Sequence, residues 1–200
     1  MLERTPQPPR SAAPALRIAV LGAECTGKTE LVLALRDALS AERGLRVAAV
    51  MEYLREWCDE RLRTPARHEQ AAIAQEQQRR IEAAAAAHEI VVCDTTPLMT
   101  ALYSRWYFGD DSLEPAAVAA HRDCQVTLVT GLDLPWEPDG HQRDGEHVRG
   151  PIDALLRDTL RAHAIAYADV RGLGADRLAS AWTALQPWLD AADGSGQRPR

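Results

Sequence analysis

One stretch of this sequence decides its fold: Gly22-Ala23-Glu24-Cys25-Thr26-Gly27-Lys28-Thr29. A β-branched run precedes it from Arg17 to Leu21, and an amphipathic segment follows it from Lys28 to about Glu42. A strand, a loop of this glycine spacing and a helix together form a P-loop, which cradles nucleotide phosphates. Gly22 and Gly27 permit main-chain conformations that turn successive N–H groups toward phosphate oxygens. All of residues 22–29 are therefore predicted to bind a nucleotide.

Three side chains carry the chemistry expected of such a loop. Lys28 is expected to reach the β- and γ-phosphates, and the Thr29 hydroxyl is expected to bind Mg²⁺. Asp94 ends the apolar run 89–94, where P-loop proteins place a second magnesium contact. The alternative for Asp94 is a helix N-cap at the strand exit. ATP and Mg²⁺ are the predicted cofactors.

Apolar runs alternate with helical segments along the chain. The strands are predicted at 17–21, 45–51, 89–94, 125–130 and 165–170, and the helices at 28–42, 53–62, 68–88, 95–108, 112–121, 151–163 and 175–189. Ser112 is expected to cap its helix, and Pro151 to lie in the first turn of another. This alternation predicts the α/β, three-layer P-loop NTPase fold, with a parallel sheet and helices on both faces. Residues 131–150 lack an apolar period and are predicted to form a lid loop.

Composition is that of one globular domain, with 46% hydrophobic and 26% charged residues. Residues 1–14 and 191–200 are expected to be disordered ends around a P-loop kinase domain at 15–190. The net charge of −6 argues against nucleic-acid binding. The sequence contains neither a run long enough to span a bilayer nor an apolar signal core. Four cysteines without a CxxC pair suit reduced thiols, so a cytoplasmic protein without a membrane partner is predicted.

The end of the second predicted strand supplies candidates for binding a phosphate acceptor. Glu52 lies where carboxyl ends of parallel strands line a ligand crevice, and is expected to accept a hydroxyl proton or hold a sugar hydroxyl. Tyr53, Arg55 and Trp57 follow as candidate substrate contacts, and the aromatic pair has the alternative of packing in the core. A second aromatic group is expected mostly to pack in the core, with Arg105 as a possible polar contact; it comprises Tyr103, Trp106, Tyr107 and Phe108.

Two arginines near the lid loop complete the set of catalytic candidates. Small-molecule kinases need mobile arginines that close over the transferring phosphoryl group. Arg143 and Arg149 have positions suited to that role. The alternative is a solvated surface loop.

These motifs together resemble the nicotinamide-riboside kinase domain of the bifunctional NadR proteins. The resemblance rests on the P-loop and on three further segments: Glu52-Tyr53-x-Arg55-Glu56, Asp94-Thr95-Thr96 and Pro135-Trp136-Glu137-Pro138-Asp139-Gly140. It implies transfer of the ATP γ-phosphate to the 5′-hydroxyl of nicotinamide riboside, giving nicotinamide mononucleotide. It also implies that the acceptor lies near Glu52, Tyr53 and Trp57, with the lid arginines over the phosphates.

Two other functions stay open at this point. The chain could be a kinase for another nucleoside or nucleotide, or a regulatory nucleotide-binding ATPase without a phosphate acceptor. The sequence contains no NKxD-like guanine motif, which argues against a GTPase, and it is short for a typical AAA+ module with a helical lid domain. It shows neither the acceptor, nor the choice between ATP and GTP, nor the oligomeric state.

Overall fold

The strand before the P-loop lies at the centre of a parallel sheet. The computed structural model describes residues 14–137 and 145–193. The strands in these residues are β1 (Leu16–Leu21), β2 (Val47–Val50), β3 (Ile90–Asp94), β4 (Val126–Thr130) and β5 (Ala168–Val170). They pair in the order β2-β3-β1-β4-β5, and every pairing is parallel. The predicted parallel sheet is confirmed.

Helices cover both faces of the sheet. They are α1 (Lys28–Arg43), α2 (Tyr53–Arg61), α3 (Gln70–Ala87), α4 (Pro97–Phe108), α5 (Glu114–His121), α6 (Glu146–Ala162) and α7 (Gly174–Asp193). On β1, Ile18 and Val20 pack with α1 and α7, whereas Ala19 and Leu21 pack with α4, α5 and α6. Because both faces are buried, the strands read as continuous apolar runs. The predicted three-layer α/β fold is confirmed.

Strand order places the P-loop where ligands bind in such sheets. The chain leaves β1 through α1 toward β2 at one edge, and β4 and β5 lie on the other side of β1. Ligands bind at the carboxyl ends of strands where the order reverses in this way. Asp94 at the end of β3 is opposite Val20 of β1, so it lies at the same edge of the sheet as the P-loop.

Helix α6 begins earlier than the sequence predicts. Pro151 lies inside the helix, because α6 starts at Glu146, and the prediction of Pro151 in the first turn is wrong. Val148 and Arg149 are buried in the turn before it. Val148 is buried in the apolar cluster that α6 forms with α4 and α5, and this burial favours the early start of α6. Pro151 removes one main-chain hydrogen bond from the helix. The predicted lid loop shortens accordingly, and residues 138–144 within it lie outside the described part.

Two other boundaries differ from the predictions for local reasons. Helix α5 begins at Glu114 after Leu113, so the prediction of Ser112 as N-cap is wrong. Pro115 occupies the first turn, and its fixed φ favours a start at that point. Strand β5 begins at Ala168 because the Ile165 N–H still donates to Leu160 O (2.8 Å) at the end of α6.

The described helices include none that is both long and apolar enough to cross a membrane. Residues 1–13 and 194–200 lie outside the described part, so the disordered ends predicted at 1–14 and 191–200 stay predictions.

Candidate active site

The P-loop main chain needs glycine at both glycine positions of its motif. Gly22 has φ +155°, and a Cβ there would lie 2.1 Å from Thr130 Oγ1. Gly27 has φ +69° and caps α1, and a Cβ there would lie 2.8 Å from Leu134 Cδ1. A larger residue at either position would clash and strain the backbone. The loop is therefore fixed tightly between β1 and the residues that follow β4.

Buried hydroxyls hold the loop from inside. Thr26 Oγ1 donates to Ala23 O (2.8 Å) and lies 2.7 Å from Thr130 Oγ1. Thr130 also lies within hydrogen-bond distance of Leu21 O at the end of β1 (3.1 Å). Because these groups are enclosed, their hydrogen bonds restrict the loop to one shape. The loop at the N-terminus of α1 is thus ordered for phosphate binding.

Lys28 is unusual in the composition of this chain. Lysine and arginine together number 23, and Lys28 is the only lysine among them. Arginine presents a planar fork, whereas lysine presents a compact charge with three donors. The Lys28 Nζ donates to Ala23 O (2.9 Å), so the ammonium lies against the loop. A chain that otherwise uses arginine keeps lysine where a P-loop needs a compact charge.

The two predicted magnesium residues are brought together. Thr29 Oγ1 donates to Asp94 Oδ2 (2.6 Å), and Asp94 is 1% exposed. Asp94 Oδ1 is buried and has no hydrogen-bond partner among the described residues. An enclosed carboxylate oxygen without a donor suits a cation, and hydroxyl and carboxylate oxygens suit Mg²⁺. The described residues contain no group of three or more His, Cys, Asp or Glu that could hold a metal. Mg²⁺ here would therefore need nucleotide phosphates as further ligands.

A cavity of about 550 Å³ opens beside the loop on the side of β2 and β3. Lys28 and Glu52 border it, together with Arg55 from α2. Glu52 is half-buried at the cavity wall, and burial raises the pKa of its carboxyl, although Lys28 acts to lower that pKa. A carboxylate whose pKa is raised is a better proton acceptor. The arrangement can hold a hydroxyl between a base and the phosphate cradle.

Tyr53 and Trp57, the aromatic residues predicted to contact the acceptor beside Glu52, pack between α2 and α3. Trp57 is buried with Cys58 and Ile73 between α2 and α3, outside the cavity wall. The Arg80 guanidinium lies over the Tyr53 ring, 4.3 Å from its centroid. The structure places both rings in the packing of α2 on α3, which is the alternative that the sequence left open. A substrate role for Tyr53 and Trp57 stays a prediction.

The second aromatic group does not pack mostly in the core. Trp106, Tyr107 and Phe108 are 43%, 42% and 37% exposed, so that expectation is wrong for these three. They lie in the last turn of α4, after its first eight residues have passed through the core. Tyr103, Tyr107 and Phe108 border the cavity. Arg105 lies outside the cavity wall and pairs with Glu114 (3.2 Å).

Arg149 contacts the P-loop from α6. Its Nη2 donates to Leu134 O (2.9 Å) and lies 3.3 Å from Cys25 O. Its buried Nε has no hydrogen-bond partner among the residues described. Arg149 is therefore near the loop, on a helix and not on a mobile segment. Arg143, the other predicted lid arginine, lies outside the described residues, and the lid role of both stays a prediction.

A buried arginine behind the loop, Arg177, was not predicted from the sequence. Arg177 of α7 donates to Gly172 O (2.8 Å), to Thr26 O and to the Asp133 carboxylate. Asp133 also accepts the Gly172 N–H (2.6 Å). These bonds join α7, the segment after β4 and the P-loop. No local spacing could reveal the pair, because Asp133 and Arg177 belong to different elements.

A second cavity, of about 570 Å³, lies on the other flank of the P-loop. Gly27 and Leu31 border it on one side, and Leu134 and Leu178 on the other. Cys25 borders both cavities, so the loop separates them. A phosphate cradle between two cavities suits two ligands that meet at the phosphates. The second cavity is the more apolar of the two in its side chains, and suits a flat base.

A family described as an AAA domain matches residues 17–177, from β1 into α7. The chain belongs to this family. The match covers the P-loop domain itself. The chain is shorter than a typical AAA+ module, but this difference in length does not exclude it from the matched family. No curated protein sequence matches the chain.

Solved structures with the same fold include two kinds of protein. NadR in complex with NR is 20% identical over 93% of this chain and 52% of its own, with a TM-score of 0.71. NadR in complex with NAD and AMP-PNP shows the same identity and coverage, with a TM-score of 0.68. Thymidylate kinase from Ehrlichia chaffeensis is 14% identical over 87% of this chain and 99% of its own, with a TM-score of 0.63.

The likeness to these proteins is one of fold. The chain spans about half the length of the NadR chains. The P-loop kinase-like fold is confirmed, and the resemblance to the kinase domain of NadR is confirmed at the level of the fold.

Proposed function

We propose that this AAA-domain protein is an ATP-dependent kinase that phosphorylates the 5′-hydroxyl of nicotinamide riboside. The observation that carries the proposal is the cavity in which Glu52 and Lys28 border one space beside the P-loop. One of these residues can take a proton, and the other can stabilise a phosphoryl group. An ATPase needs room for water alone, whereas a cavity of about 550 Å³ leaves room for an acceptor of nucleoside size.

The donor nucleotide fits the loop and the second cavity. Triphosphate oxygens would meet the loop N–H groups, Lys28 and the N-terminus of α1. The base would enter the apolar cavity bordered by Leu134 and Leu178. Thr29 and Asp94 would hold Mg²⁺, which neutralises phosphate charge when bound. The binding of AMP-PNP by a NadR protein of this fold supports ATP as the donor.

The acceptor reaction follows from the position of Glu52. The acceptor oxygen attacks the γ-phosphorus, the bond from that phosphorus to the ADP oxygen breaks, and the hydroxyl proton passes to the Glu52 carboxylate. Lys28 stabilises the charge on the transferring group. Tyr107 and Phe108 border the acceptor side of the cavity, where their rings would cover part of a bound acceptor from water.

Charge in the cavity favours a nucleoside over a nucleoside monophosphate. Arg63 borders the cavity, but both its terminal nitrogens pair with the Glu69 carboxylate at 2.7 Å. Two cationic residues, Lys28 and Arg55, then share the wall with two carboxylates, Glu24 and Glu52. A phosphate dianion on the acceptor would add two negative charges to a wall whose charged groups otherwise balance. Nicotinamide riboside carries a positive ring, which also suits aromatic walls.

The proposal also covers the partners and the location of the protein. Its partner is a small nucleoside, and nucleic acid and membranes are not proposed as partners. We place it in the cytoplasm, because none of Cys25, Cys58, Cys93 and Cys124 forms a disulfide. Membership of an AAA-domain family favours a second candidate, a nucleotide-dependent regulatory ATPase without an acceptor.

An acceptor panel separates these functions. The protein is given Mg-ATP with nicotinamide riboside, adenosine, uridine, thymidine or thymidylate, and ADP release is followed. Nicotinamide riboside is expected to stimulate release most, and thymidylate not at all. The Lys28→Ala variant should lower the stimulated rate by about 10²–10³-fold. Stimulation by another nucleoside alone would change the acceptor, and stimulation by none of them would leave the regulatory ATPase.

A further inference from the structure

We propose that His121 is a positioning residue that holds the Asp94–Thr96 turn and, through it, the carboxylate of the magnesium site. The inference rests on the proposed function, because it concerns the residues that would hold the metal. His121 is the last residue of α5 and touches neither cavity wall. It acts on the site only through Thr96.

A buried chain of three side chains connects β4 to this turn. Thr127 Oγ1 of β4 lies 2.9 Å from His121 Nε2, and His121 Nδ1 lies 2.9 Å from Thr96 Oγ1. All three residues are at least 96% buried. Burial lowers the pKa of His121 to about 4, so the ring is neutral near pH 7. A neutral ring has one donor and one acceptor nitrogen, which suits a hydroxyl on each side.

The turn that His121 contacts has an unfavourable backbone conformation. Thr95 has φ +67°, in the left-handed region that β-branched residues rarely adopt. Such a conformation persists only where its surroundings determine it. On one side the Thr95 N–H donates to Val20 O of β1 (3.1 Å). On the other side Thr96 caps α4 and bonds to His121.

The same turn sets the direction of Asp94. Asp94 immediately precedes Thr95, and its Oδ1 is the buried oxygen without a partner among the described residues. Thr95 itself borders the cavity beside Lys28 and Glu52, which we call the acceptor cavity. If the turn relaxed, Asp94 would lose its orientation toward Thr29, and one wall of the acceptor cavity would move. Polar side chains in this buried layer cost desolvation, and apolar residues would fill it more cheaply. Holding the turn in its orientation explains why polar residues occupy this buried layer.

Two substitutions of His121 separate positioning from simple packing. In His121→Asn the amide takes the place of Nδ1 and keeps the bond to Thr96. In His121→Gln the amide takes the place of Nε2 and keeps only the bond to Thr127. The measurement is calorimetric binding of AMP-PNP over a range of Mg²⁺ concentrations, with a magnesium-free arm. His121→Gln should raise the Mg²⁺ concentration for half-maximal binding by about tenfold, since lost support of a metal ligand has effects of that order.

The other variant and the isosteric changes of Thr96 complete the experiment. His121→Asn should stay within about twofold of the wild type, and magnesium-free binding should be unchanged in both variants. Thr96→Val should raise the Mg²⁺ concentration for half-maximal binding as His121→Gln does, whereas Thr96→Ser keeps the hydroxyl and should bind like the wild type. These two variants test the same hydrogen bond if a His121 variant does not fold. Equal behaviour of Asn and Gln variants, or wild-type magnesium dependence in Thr96→Val, would overturn the inference.

Failure of this inference and failure of the proposed function give different results. The calorimetry needs no phosphate acceptor, so it can succeed when every nucleoside in the panel fails. If the wild type itself binds AMP-PNP independently of Mg²⁺, the metal assignment of Thr29 and Asp94 is wrong, and the inference falls with it. If nicotinamide riboside is phosphorylated but His121→Gln keeps normal magnesium dependence, only the inference is overturned.

Discussion

Glu52 and Lys28 come from different strand ends and meet at one cavity. Glu52 follows β2, and Lys28 follows the P-loop after β1, with β3 between these strands in the sheet. Both positions follow from one rule, because carboxyl ends of parallel strands share an edge. The sequence could therefore predict them without knowing any distance. It could not predict that burial raises the pKa of Glu52, since that depends on the surrounding walls.

A substitution of Glu52 tests its role as proton acceptor. Glu52→Gln should lower kcat by about 10²–10⁴-fold and leave AMP-PNP affinity unchanged, because the amide cannot take a proton. Glu56→Gln is the matched control, since Glu56 lies on the exposed face of α2 and pairs with Arg80 (2.6 Å). Equal rates in the two variants would contradict the assignment.

The pH dependence of the rate gives an independent reading of the same residue. The wild-type rate should fall as pH drops through a pKa above 4.5, the ordinary value for glutamate, because the protonated carboxyl accepts nothing. The residual activity of Glu52→Gln should lack this acid limb. A limb that persists in the variant would belong to another group.

Elements far apart in sequence fix the P-loop. Helix α7 reaches the loop through Arg177, and α6 reaches it through Arg149. Cys25 Sγ also accepts the Glu137 N–H (3.2 Å), which joins the loop to the segment after β4. These contacts have no local sequence signal, because each joins residues more than 100 positions apart. Sequence patterns identified the cradle but not what holds it.

Substitutions of Arg177 and Asp133 should have non-additive effects on the free energy of unfolding. Arg177→Met removes the donor to two carbonyls and one of the donors to the Asp133 carboxylate, which keeps the Gly172 N–H, and should lower the free energy of unfolding by roughly 2–3 kcal/mol. It should also weaken AMP-PNP binding, because Thr26 O loses its contact. Urea unfolding of both single variants and of Arg177→Met with Asp133→Leu gives the coupling. The double variant should recover part of the loss, and strictly additive losses would contradict a direct tie.

Local signals failed where tertiary packing outweighed them. Pro151 is typical of a first helical turn, yet burial of Val148 starts α6 five residues earlier. Aromatic residues are typical of cores, yet the end of α4 carries Tyr107 and Phe108 to a cavity wall. In each case the deciding contact lies on another element. Strand and helix existence followed from periodicity, and their ends followed from these contacts.

At the scale of the whole molecule, two cavities flank one phosphate cradle. The P-loop, Asp94 and Glu52 were predictable, since each follows a strand of the sheet. The cavity walls were not, since they combine α2, α4, α7 and the segment after β4. His121 was also missed, because a single histidine at the end of a short helix gives no signal of its buried partners.

Burial of His121 should make the stability of the whole molecule depend on pH. Its pKa is lowered from 6.5 to about 4, so the unfolded chain takes up the proton first as pH falls. The free energy of unfolding should therefore decline below pH 6.5, with a contribution that reaches about 3 kcal/mol near pH 4. Glu52 acts in the opposite direction, because its raised pKa favours the folded state as pH falls.

The wild type should be compared with His121→Asn by urea unfolding at several pH values, so that the Glu52 contribution cancels. The difference between their unfolding free energies should change between pH 6.5 and 4 and stay constant above pH 7. A constant difference at every pH would show that His121 does not titrate with a lowered pKa.

The most direct test of the kinase account follows the γ-phosphoryl group itself. The protein is incubated with Mg²⁺, nicotinamide riboside and ATP labelled in the γ-phosphate, and the products are separated and weighed by mass spectrometry. A kinase for nicotinamide riboside should place the label in a product with the mass of nicotinamide mononucleotide, and the Glu52→Gln variant should form little of that product. Label found only in inorganic phosphate, with unchanged nicotinamide riboside, would contradict it.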